Sequence, residues 1–527
     1  MATLPIYRVR NAEAGFGRAV DLATGLHGQG NFTIRKFTDR TVVRSGDRVL
    51  EAAGSGSWAA DTSRLWRLGA TPPQLPDPVE AGKTADEYLL KYGLAPRLGD
   101  GFGFGRSGTG GSFASVRTDG KRDDQQLDVK VNYAVTVRLD EPFEGAREVP
   151  IIGGGGKTIV TVGDKGDVLS HLAAWREIES SFAAEVVPRE KADAQFKAMT
   201  RAFKVLDLEV GLAYFSAPVF AGQEFLYPVY TYRATLGRGE RSFPARVIML
   251  PATTFGPEPP KAEPQPPRKR GGPAFERGER RGYASAVANP FEAGTSWIGP
   301  LGGLNGSPAN AQGFVDELAA DGWLINFNWG DQNAWESDWR RNDDDWVDAA
   351  DFVFYTGHAD GNGWVLSSPD DGSLDFTEVG TSPGNPGDLW GQNDLEWVVV
   401  AACGPLEDEI LAKGGGDVFD RWDGAFDGLH SLMGYGAVTF DTTDEGGRLV
   451  RYAKDGMPLI DAWLRTGQEI QPSTNGWGAP FGPTVWVGAM YVATAGADPR
   501  FDHLWGHGSV SADPRNPTSY VAMWTTC

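Results

Sequence analysis

The sequence predicts an α/β fold for the C-terminal half, with a mostly parallel sheet flanked by helices, after an α+β antiparallel module. Strand-like and helical segments alternate after residue 282, as in a parallel sheet with helical crossovers. Two continuous apolar runs, residues 352–355 and 397–402, have the composition of strands covered on both faces. In the N-terminal half, "NFTIRKFTDRTVVRSGDRVLEA" alternates apolar and polar residues, which predicts a half-exposed antiparallel meander.

A segment rich in proline and arginine separates the two halves. Residues 253–282, "TTFGPEPPKAEPQPPRKRGGPAFERGERRG", contain too few apolar side chains to build a core and favour extended backbone. We therefore expect a module over residues 1–252, a linker over 253–282 and a second domain over 283–527. A long surface loop within one domain is the alternative. The basic residues from Arg268 to Arg281 predict a protease-sensitive site.

The composition excludes several classes of partner. The net charge of −21 and the pI near 4.8 argue against binding to nucleic acid or to an anionic membrane, because phosphates would be repelled. No uncharged apolar stretch approaches the ~18 residues that a membrane span needs. The first residues show no signal-peptide pattern. We expect a soluble protein that is cytoplasmic by default, with secretion left open.

Local patterns predict individual helices and turns. "TADEYLLKYGL" predicts a helix with Thr84 as its N-cap, and "SPANAQGFVDELAADGW" predicts one with Ser307 as N-cap and Pro308 at the first helical position. "IIGGGGKTIVTV" is close to a phosphate-binding loop. However, Ile151 stands where that motif needs glycine, and a strand rather than a helix follows Lys157. A glycine-rich hairpin is the better interpretation.

Two chemically active side chains end the two apolar runs. His358 follows the first run and Cys403 follows the second, about 45 residues later. Sites in open α/β sheets form beyond the carboxyl ends of the strands, so parallel neighbours would bring the two residues to one edge. A cysteine thiolate activated by an imidazole is a nucleophile for acyl transfer. Asp360 is the carboxylate nearest in sequence that could orient the imidazole. A structural histidine and a buried thiol are the alternatives.

The strand ending in Gly357 and His358, together with "AAC" at residues 401–403, resembles the caspase/gingipain/legumain superfamily of cysteine peptidases. The resemblance covers roughly residues 285–470. It implies peptide-bond hydrolysis through a thioester, with His358 and Cys403 as the catalytic dyad. The backbone N–H groups of Cys403 and of Ala359 or Gly404 would bind the oxyanion. Ala359 stands where the superfamily usually has glycine, so an inactive, peptidase-like binding or self-assembling protein is the alternative.

Two further resemblances concern the separate halves. "GDQNAWESDWR", "RWDGAFDGLHSLMGYG" and "DAWLRTGQEI" resemble a bacterial domain family of unknown function within the same superfamily likeness. "VTVGDKGDVLSHLAAW" and "FLYPVYTYRATL" resemble PepSY/FTP modules, which accompany secreted peptidases as prosegments. These resemblances imply a peptide or protein substrate, and an N-terminal module that regulates the C-terminal domain by direct contact. An acidic pocket for Arg or Lys substrates would suit the charge of the chain, although no residue identifies it.

Other residues are weaker candidates. We expect no resident metal or cofactor. Zinc would need a third ligand beside His503 and His507, whose helical spacing two glycines interrupt. Calcium is the alternative, because turn carboxylates are its usual ligands, and the candidates are Asp420, Asp423, Asp427, Asp441 and Asp444. Trp335, Trp339 and Trp346 could form a sugar-binding surface. Cys403 and Cys527 could form one disulfide, and His430 is interpreted as structural.

Overall fold

The computed structural model describes residues 2–10, 16–28, 30–69, 71–218, 220–256, 265, 291–367, 371–380, 389–477, 482–494 and 498–527. Most of the linker expected at 253–282 lies outside these residues, as does its basic stretch from Arg268 to Arg281. None of the described helices is long and apolar enough to cross a membrane.

The N-terminal half consists mainly of antiparallel strands with helices packed against them. Its strands are β1 (Thr3–Arg10), β2 (Thr33–Lys36), β3 (Arg40–Ser45), β4 (Arg48–Ala53), β5 (Trp58–Thr62), β6 (Phe102–Thr118), β7 (Lys121–Phe143), β8 (Ala146–Ile152), β9 (Lys157–Val162), β10 (Val168–Ala174), β11 (Glu177–Glu185), β12 (Lys204–Phe215), β13 (Phe225–Arg238), β14 (Arg241–Pro244) and β15 (Ile248–Pro251). Its α-helices are α1 (Phe16–His27), α2 (Pro78–Tyr92) and α3 (Arg189–Met199). Strands β2, β3 and β4 form the predicted antiparallel meander.

The C-terminal half combines strands and helices, but the predicted alternation holds only in part: among the described residues, 3-10 turns and short strands, not α-helices, connect the strands between residues 330 and 397. Its strands are β16 (Glu292–Trp297), β17 (Leu324–Gly330), β18 (Phe352–Thr356), β19 (Ala359–Asp360), β20 (Gly363–Val365), β21 (Ser373–Asp375), β22 (Trp397–Ala401), β23 (Ser431–Tyr435), β24 (Trp486–Val492) and β25 (Ser519–Thr526). Its α-helices are α4 (Ser307–Ala320), α5 (Val418–Trp422), α6 (Glu445–Lys454) and α7 (Leu459–Ile470).

Five parallel strands form the centre of this half, in the order β17-β16-β18-β22-β23. The next strands are antiparallel: β24 pairs with β23, and β25 pairs with β24. Strand β25 then pairs with β6 of the N-terminal half, so one large sheet continues through both halves. The mixed α/β character is confirmed. The sheet as a whole is mostly antiparallel, however, and a caspase-like layout is not established.

Two predicted helix starts require correction. Helix α2 begins at Pro78, and the side chain of Asp77 accepts hydrogen bonds from the backbone N–H groups of Val79 and Glu80. Thr84 therefore lies inside the helix, because an earlier Asp-Pro pair already supplies the cap and the first residue. Helix α4 begins at Ser307 itself, one residue earlier than a Ser307 cap requires, and the cap position is Gly306.

The glycine-rich segment is not a hairpin among the described pairings. Strands β8 and β9 both pair with β7 instead of with each other. The phosphate-loop interpretation also fails here, because Lys157 is buried and its Nζ donates to the carbonyl oxygen of Gln471 at 2.7 Å. This lysine therefore joins the two halves of the chain.

We predict that cutting the chain in the linker leaves the two halves bound to each other. The β6–β25 pairing and the buried contact of Lys157 join the halves independently of the covalent connection. After brief trypsin treatment, gel filtration in native buffer should give one peak at the volume of the intact protein, which separates into two fragments only in denaturant. Elution of two separate fragments in native buffer would contradict this.

A second prediction concerns acid stability and His171 on β10. This side chain is fully buried against Trp58 and Tyr88, and no described group hydrogen-bonds its ring nitrogens. Burial lowers the pKa of His171 to about 3. The unfolded chain therefore takes up this proton below pH ~6.5 while the folded chain does not, which removes stability as the pH falls.

Lowering the pH from 7 to 5 should therefore reduce the unfolding free energy by about 2 kcal/mol through this residue. Urea unfolding of the wild type and of His171→Leu at both pH values measures the effect, because the variant lacks this contribution. Equal losses in the two proteins would show that His171 is not held neutral.

Candidate functional site

The parallel register places His358 and Cys403 at the same edge of the sheet. Strand β18 pairs in parallel with β22, and Thr356 lies opposite Ala401. His358 and Cys403 each follow two residues later, beyond the carboxyl ends of these neighbouring strands. The expectation that the two strands are parallel neighbours is confirmed. Both side chains are completely buried.

The imidazole of His358 makes a hydrogen bond at each ring nitrogen. Nδ1 accepts from the backbone N–H of Arg246 at 3.4 Å, and Nε2 lies 2.8 Å from the carbonyl oxygen of Gly302. This pattern requires the neutral tautomer with its proton on Nε2, because Nδ1 accepts and a carbonyl can only accept. Burial lowers the pKa of His358 to about 4. The ring is therefore neutral at pH 7.

Two aromatic side chains of the N-terminal half enclose this imidazole. The ring of Phe203 lies 5.7 Å from that of His358, and the ring of Phe243 lies 5.4 Å away, centroid to centroid. This apolar surrounding explains why the imidazole is desolvated and disfavours its protonated form.

The thiol of Cys403 interacts with Thr439 and not with His358. Its Sγ accepts from the backbone N–H of Thr439 at 3.4 Å and lies 3.8 Å from the Thr439 hydroxyl. Burial raises the pKa of Cys403 to about 11, so the thiol is protonated at pH 7. The shared edge thus brings the two residues near each other, but their described hydrogen bonds go to other partners.

The two proposed oxyanion donors differ in backbone geometry. Gly404 has φ +77°, and its N–H donates to the carbonyl oxygen of Ala437 at 3.2 Å. A Cβ at this position would lie 2.5 Å from Glu407 Oε1, so Gly404 is required for both conformation and space. Ala359 lies in the extended strand β19, so the position does not need the conformational freedom of glycine.

Asp360 does not orient the imidazole in this structure. Its carboxylate lies 3.6 Å from the guanidinium of Arg241 and accepts from the backbone N–H of Asn362 at 2.8 Å. The two ring nitrogens of His358 are bonded to backbone groups of other residues.

Arg246, which the sequence analysis did not select, reaches the edge where the two strands end. Its Nη1 donates to the carbonyl oxygen of Ala401 at 2.7 Å and to the Thr356 hydroxyl at 3.1 Å. Its Nη2 forms an ion pair with Glu445 at 3.1 Å. Arg246 and Glu445 are both completely buried. A side chain of the N-terminal half therefore occupies the carboxyl edge between β18 and β22.

Polar neighbours hold Glu445 in place at the start of α6. Its Oε1 accepts from the hydroxyl of Tyr435 at 2.7 Å and from Nε2 of Gln471 at 2.8 Å, and its Oε2 accepts from Nδ2 of Asn310 at 2.7 Å. In the sequence, Glu445 stands in "TTDEGG", which is typical of an exposed turn. The only local signal for Arg246 is a single arginine in the otherwise apolar "FPARVIML".

The chain around Arg246 lies along this edge in the manner of an added strand. The backbone N–H of Val247 donates to the carbonyl oxygen of Thr439 at 2.8 Å, and the N–H of Asp441 donates to the carbonyl oxygen of Val247 at 3.1 Å. Val247 and Phe440 form a parallel β-bridge. We call residues 243–247 the covering segment.

A cavity of about 310 Å³ lies close to the covering segment and is lined by both halves. Its walls include Val229 and Phe440, which belong to the same apolar cluster as Cys403.

Most of the other sequence candidates have structural partners, although Nδ1 of His503 has none among the described residues. His507 pairs with Asp321 at 2.8 Å, and Asp420 pairs with Arg117 at 2.6 Å. Asp441 is buried and accepts from the backbone N–H of Gly306 at 2.8 Å. These contacts stabilise the fold.

Two minor alternatives are not supported. Trp339 and Trp346 are buried in the core, so they do not form an exposed sugar-binding surface. Cys403 and Cys527 are both free thiols. His430 is fully buried, and its Nδ1 lies 2.6 Å from Asp502, which is consistent with a structural role.

Comparison with known proteins gives a match to one domain model, which carries no assigned activity. Residues 294–527 match the model of the family described as "Domain of unknown function (DUF6345)". None of the curated proteins matches the chain. A solved structure of an uncharacterized protein from Eubacterium rectale is similar at 11% identity, over 48% of this chain and 84% of the other, with a TM-score of 0.25. This score does not establish a shared fold. The comparisons show neither a caspase-like nor a PepSY family.

We predict that Cys403 of the intact protein reacts slowly with iodoacetamide. Complete burial and a pKa of about 11 reduce both access and thiolate, on the order of 100-fold for the thiolate alone. Cys527 provides an internal control, since it is also buried and its pKa is raised to about 12. Mass spectrometry at pH 7 should show slow labelling of both thiols, unchanged by His358→Ala. Fast labelling of Cys403 that His358→Ala abolishes would contradict this.

Proposed function

We propose that the chain is a latent cysteine peptidase-like hydrolase whose N-terminal module covers a Cys403–His358 site. The supporting observation is that the covering segment lies over the carboxyl ends of β18 and β22, where both residues emerge. The same segment supplies the N–H that occupies Nδ1 of His358. A latent enzyme would keep its nucleophile and its base covered, which explains why Cys403 and His358 lie at one edge of the sheet and are both buried and uncharged.

The covering segment occupies this edge much as an extended peptide substrate would. Peptides commonly bind by adding a strand through backbone hydrogen bonds, while side-chain pockets give specificity. Val247 makes such backbone bonds with Thr439 and Asp441, and Arg246 places its guanidinium against Glu445. We infer that substrates present an arginine to Glu445 once the segment has moved away.

Uncovering would change the protonation of both catalytic groups. With water present, the pKa of His358 would rise and that of Cys403 would fall, because burial is the main cause of both shifts. The thiol could then transfer its proton to the imidazole and attack a peptide carbonyl.

The tetrahedral intermediate would be held by backbone N–H groups, for which Gly404 is a candidate once its N–H leaves the carbonyl of Ala437. The imidazolium would then protonate the departing amine as the C–N bond breaks. Water would hydrolyse the remaining thioester and restore the thiol.

A specific observation favours a second function, a peptidase-like scaffold without catalysis. The hydrogen bonds of the His358 ring go to Arg246 and Gly302, and the contacts of the Cys403 thiol go to Thr439. A site that has lost activity can keep such residues for packing. The two functions differ in whether uncovering produces a reactive thiol.

We predict that Arg246→Ala uncovers the site. Removing one member of a buried ion pair typically costs about 3–5 kcal/mol, so the covering segment should open more often. Labelling of Cys403 by iodoacetamide should accelerate at least about tenfold, while that of Cys527 should not change. The variant should hydrolyse a fluorogenic peptide with arginine before the scissile bond, and His358→Ala should abolish both effects.

Arg176→Ala is the matched control. Arg176 is also a buried arginine, but its hydrogen bonds go to Ser216, Ala217, Pro218 and Ala221 within the N-terminal half. This variant should lose stability without exposing Cys403. If Arg246→Ala exposes Cys403 but neither hydrolysis nor dependence on His358 follows, the scaffold function is correct.

A further inference from the structure

Acidic residues gather at the opposite edge of the sheet, where the parallel strands begin. Glu292 starts β16, Asp351 immediately precedes β18, and Glu396 immediately precedes β22. The register pairs Ala293 with Phe352 and Phe352 with Trp397, so these three acids hold equivalent positions on neighbouring strands. Asp394 joins them from the loop before β22.

Three of these carboxylates converge closely. Asp351, Asp394 and Glu396 each present an oxygen, and these oxygens lie within 4.8 Å of one another. Asp351 and Glu396 are each only 7% exposed, whereas Asp394 is exposed. Two of the three acids are therefore buried and the third lies at the surface, so an ion can reach the cluster from the side of Asp394.

Glu396 provides an independent indication of a missing ligand. Its Oε2 is buried and has no hydrogen-bond partner among the described residues. The indole of Trp505 is near enough to lower the pKa of this carboxyl, but its Nε1 also makes no hydrogen bond within the described part of the chain. A buried carboxylate oxygen without a partner is strongly unfavourable unless a proton or a cation compensates it. This oxygen belongs to a side chain of the cluster of three acids.

The charges around the cluster favour a cation. Burial and, after it, the charges of Asp351, Asp394 and Asp513 raise the pKa of Glu396 to about 10, against a lowering contribution from Trp505. Burial also raises the pKa of Asp351 to about 8. Carboxylate oxygens this close together repel one another when ionised, and a cation bound between them would offset that repulsion.

We propose that Asp351, Asp394 and Glu396 form a binding site for a hard divalent cation of the Ca²⁺ or Mg²⁺ class. Carboxylate oxygens are the preferred ligands of these ions, and the cluster offers neither sulfur nor imidazole ligands. The site bridges the starts of β18 and β22, so an ion would link the two central strands. It lies at the other end of these strands from His358 and Cys403, and it does not depend on the proposed hydrolase function.

The test uses the full chain, stripped with EDTA and dialysed at pH 7. Ca²⁺, Mg²⁺ and Mn²⁺ are added separately, and the thermal midpoint and the number of bound ions are measured. We expect one ion per chain and a saturable rise of several degrees for at least one of them. The ion with the lowest apparent Kd of the three is the preferred ligand of the site.

Variants at the site separate binding from folding. Glu396→Gln and Asp351→Asn should weaken the apparent Kd at least about tenfold. In the absence of ions, Glu396→Gln should melt at or above the wild-type temperature, because it removes a buried acid from among other acids. Asp420→Asn, which changes an exposed carboxylate in the same way, should keep the full response.

Terbium luminescence gives a readout on the wild type alone. Trp397 follows Glu396 directly and should sensitise Tb³⁺ bound in the cluster, and the preferred divalent ion should displace it. The proposal would be overturned if none of Ca²⁺, Mg²⁺, Mn²⁺ and Tb³⁺ bound saturably to the wild type. Binding that survives unchanged in both Glu396→Gln and Asp351→Asn would also overturn it.

Discussion

The buried ion pair between Arg246 and Glu445 is the interaction on which the arrangement of the two halves depends. Both side chains are fully buried, so each charge depends on the other, and on its hydrogen-bonding neighbours, to compensate for the loss of water. Arg246 also donates hydrogen bonds to the carbonyl oxygen of Ala401 and to the hydroxyl of Thr356. A shift of the N-terminal half would leave a buried charge without a partner. The pair therefore fixes the position of the covering segment over the edge that carries His358 and Cys403.

A continuous sheet reinforces this constraint. The pairing of β6 with β25 makes the last strand of the chain an inner strand between the two halves. If the N-terminal module regulates the site, cutting the linker would be insufficient for activation, and the covering segment would have to move locally. Local opening of a short segment requires far less free energy than separation of paired strands.

The two ends of the central parallel strands have opposite chemical character. At the carboxyl ends, a neutral imidazole and a protonated thiol are enclosed by aromatic and apolar side chains of the other half. At the amino ends, carboxylates at equivalent register positions face one another. The same parallel register produces both clusters, because residues that directly precede or follow neighbouring strands are brought together in space.

The sequence by itself determined the elements whose signals are local. The sequence predicts strands β18 and β22 to within one residue at each end, because strands that are buried on both faces consist of continuous apolar residues. Their parallel pairing, and with it the shared edge of His358 and Cys403, followed from the alternation with helices. The start of α2 was misplaced because two capping patterns compete in one stretch, and Asp77 with Pro78 is the one used. Only the tertiary structure decided that Arg246 reaches Glu445, some 200 residues away, that β25 pairs with β6, and that Asp394 joins Asp351 and Glu396. Each of these contacts joins residues that are far apart in the chain, and neither composition nor periodicity carries information about such distances.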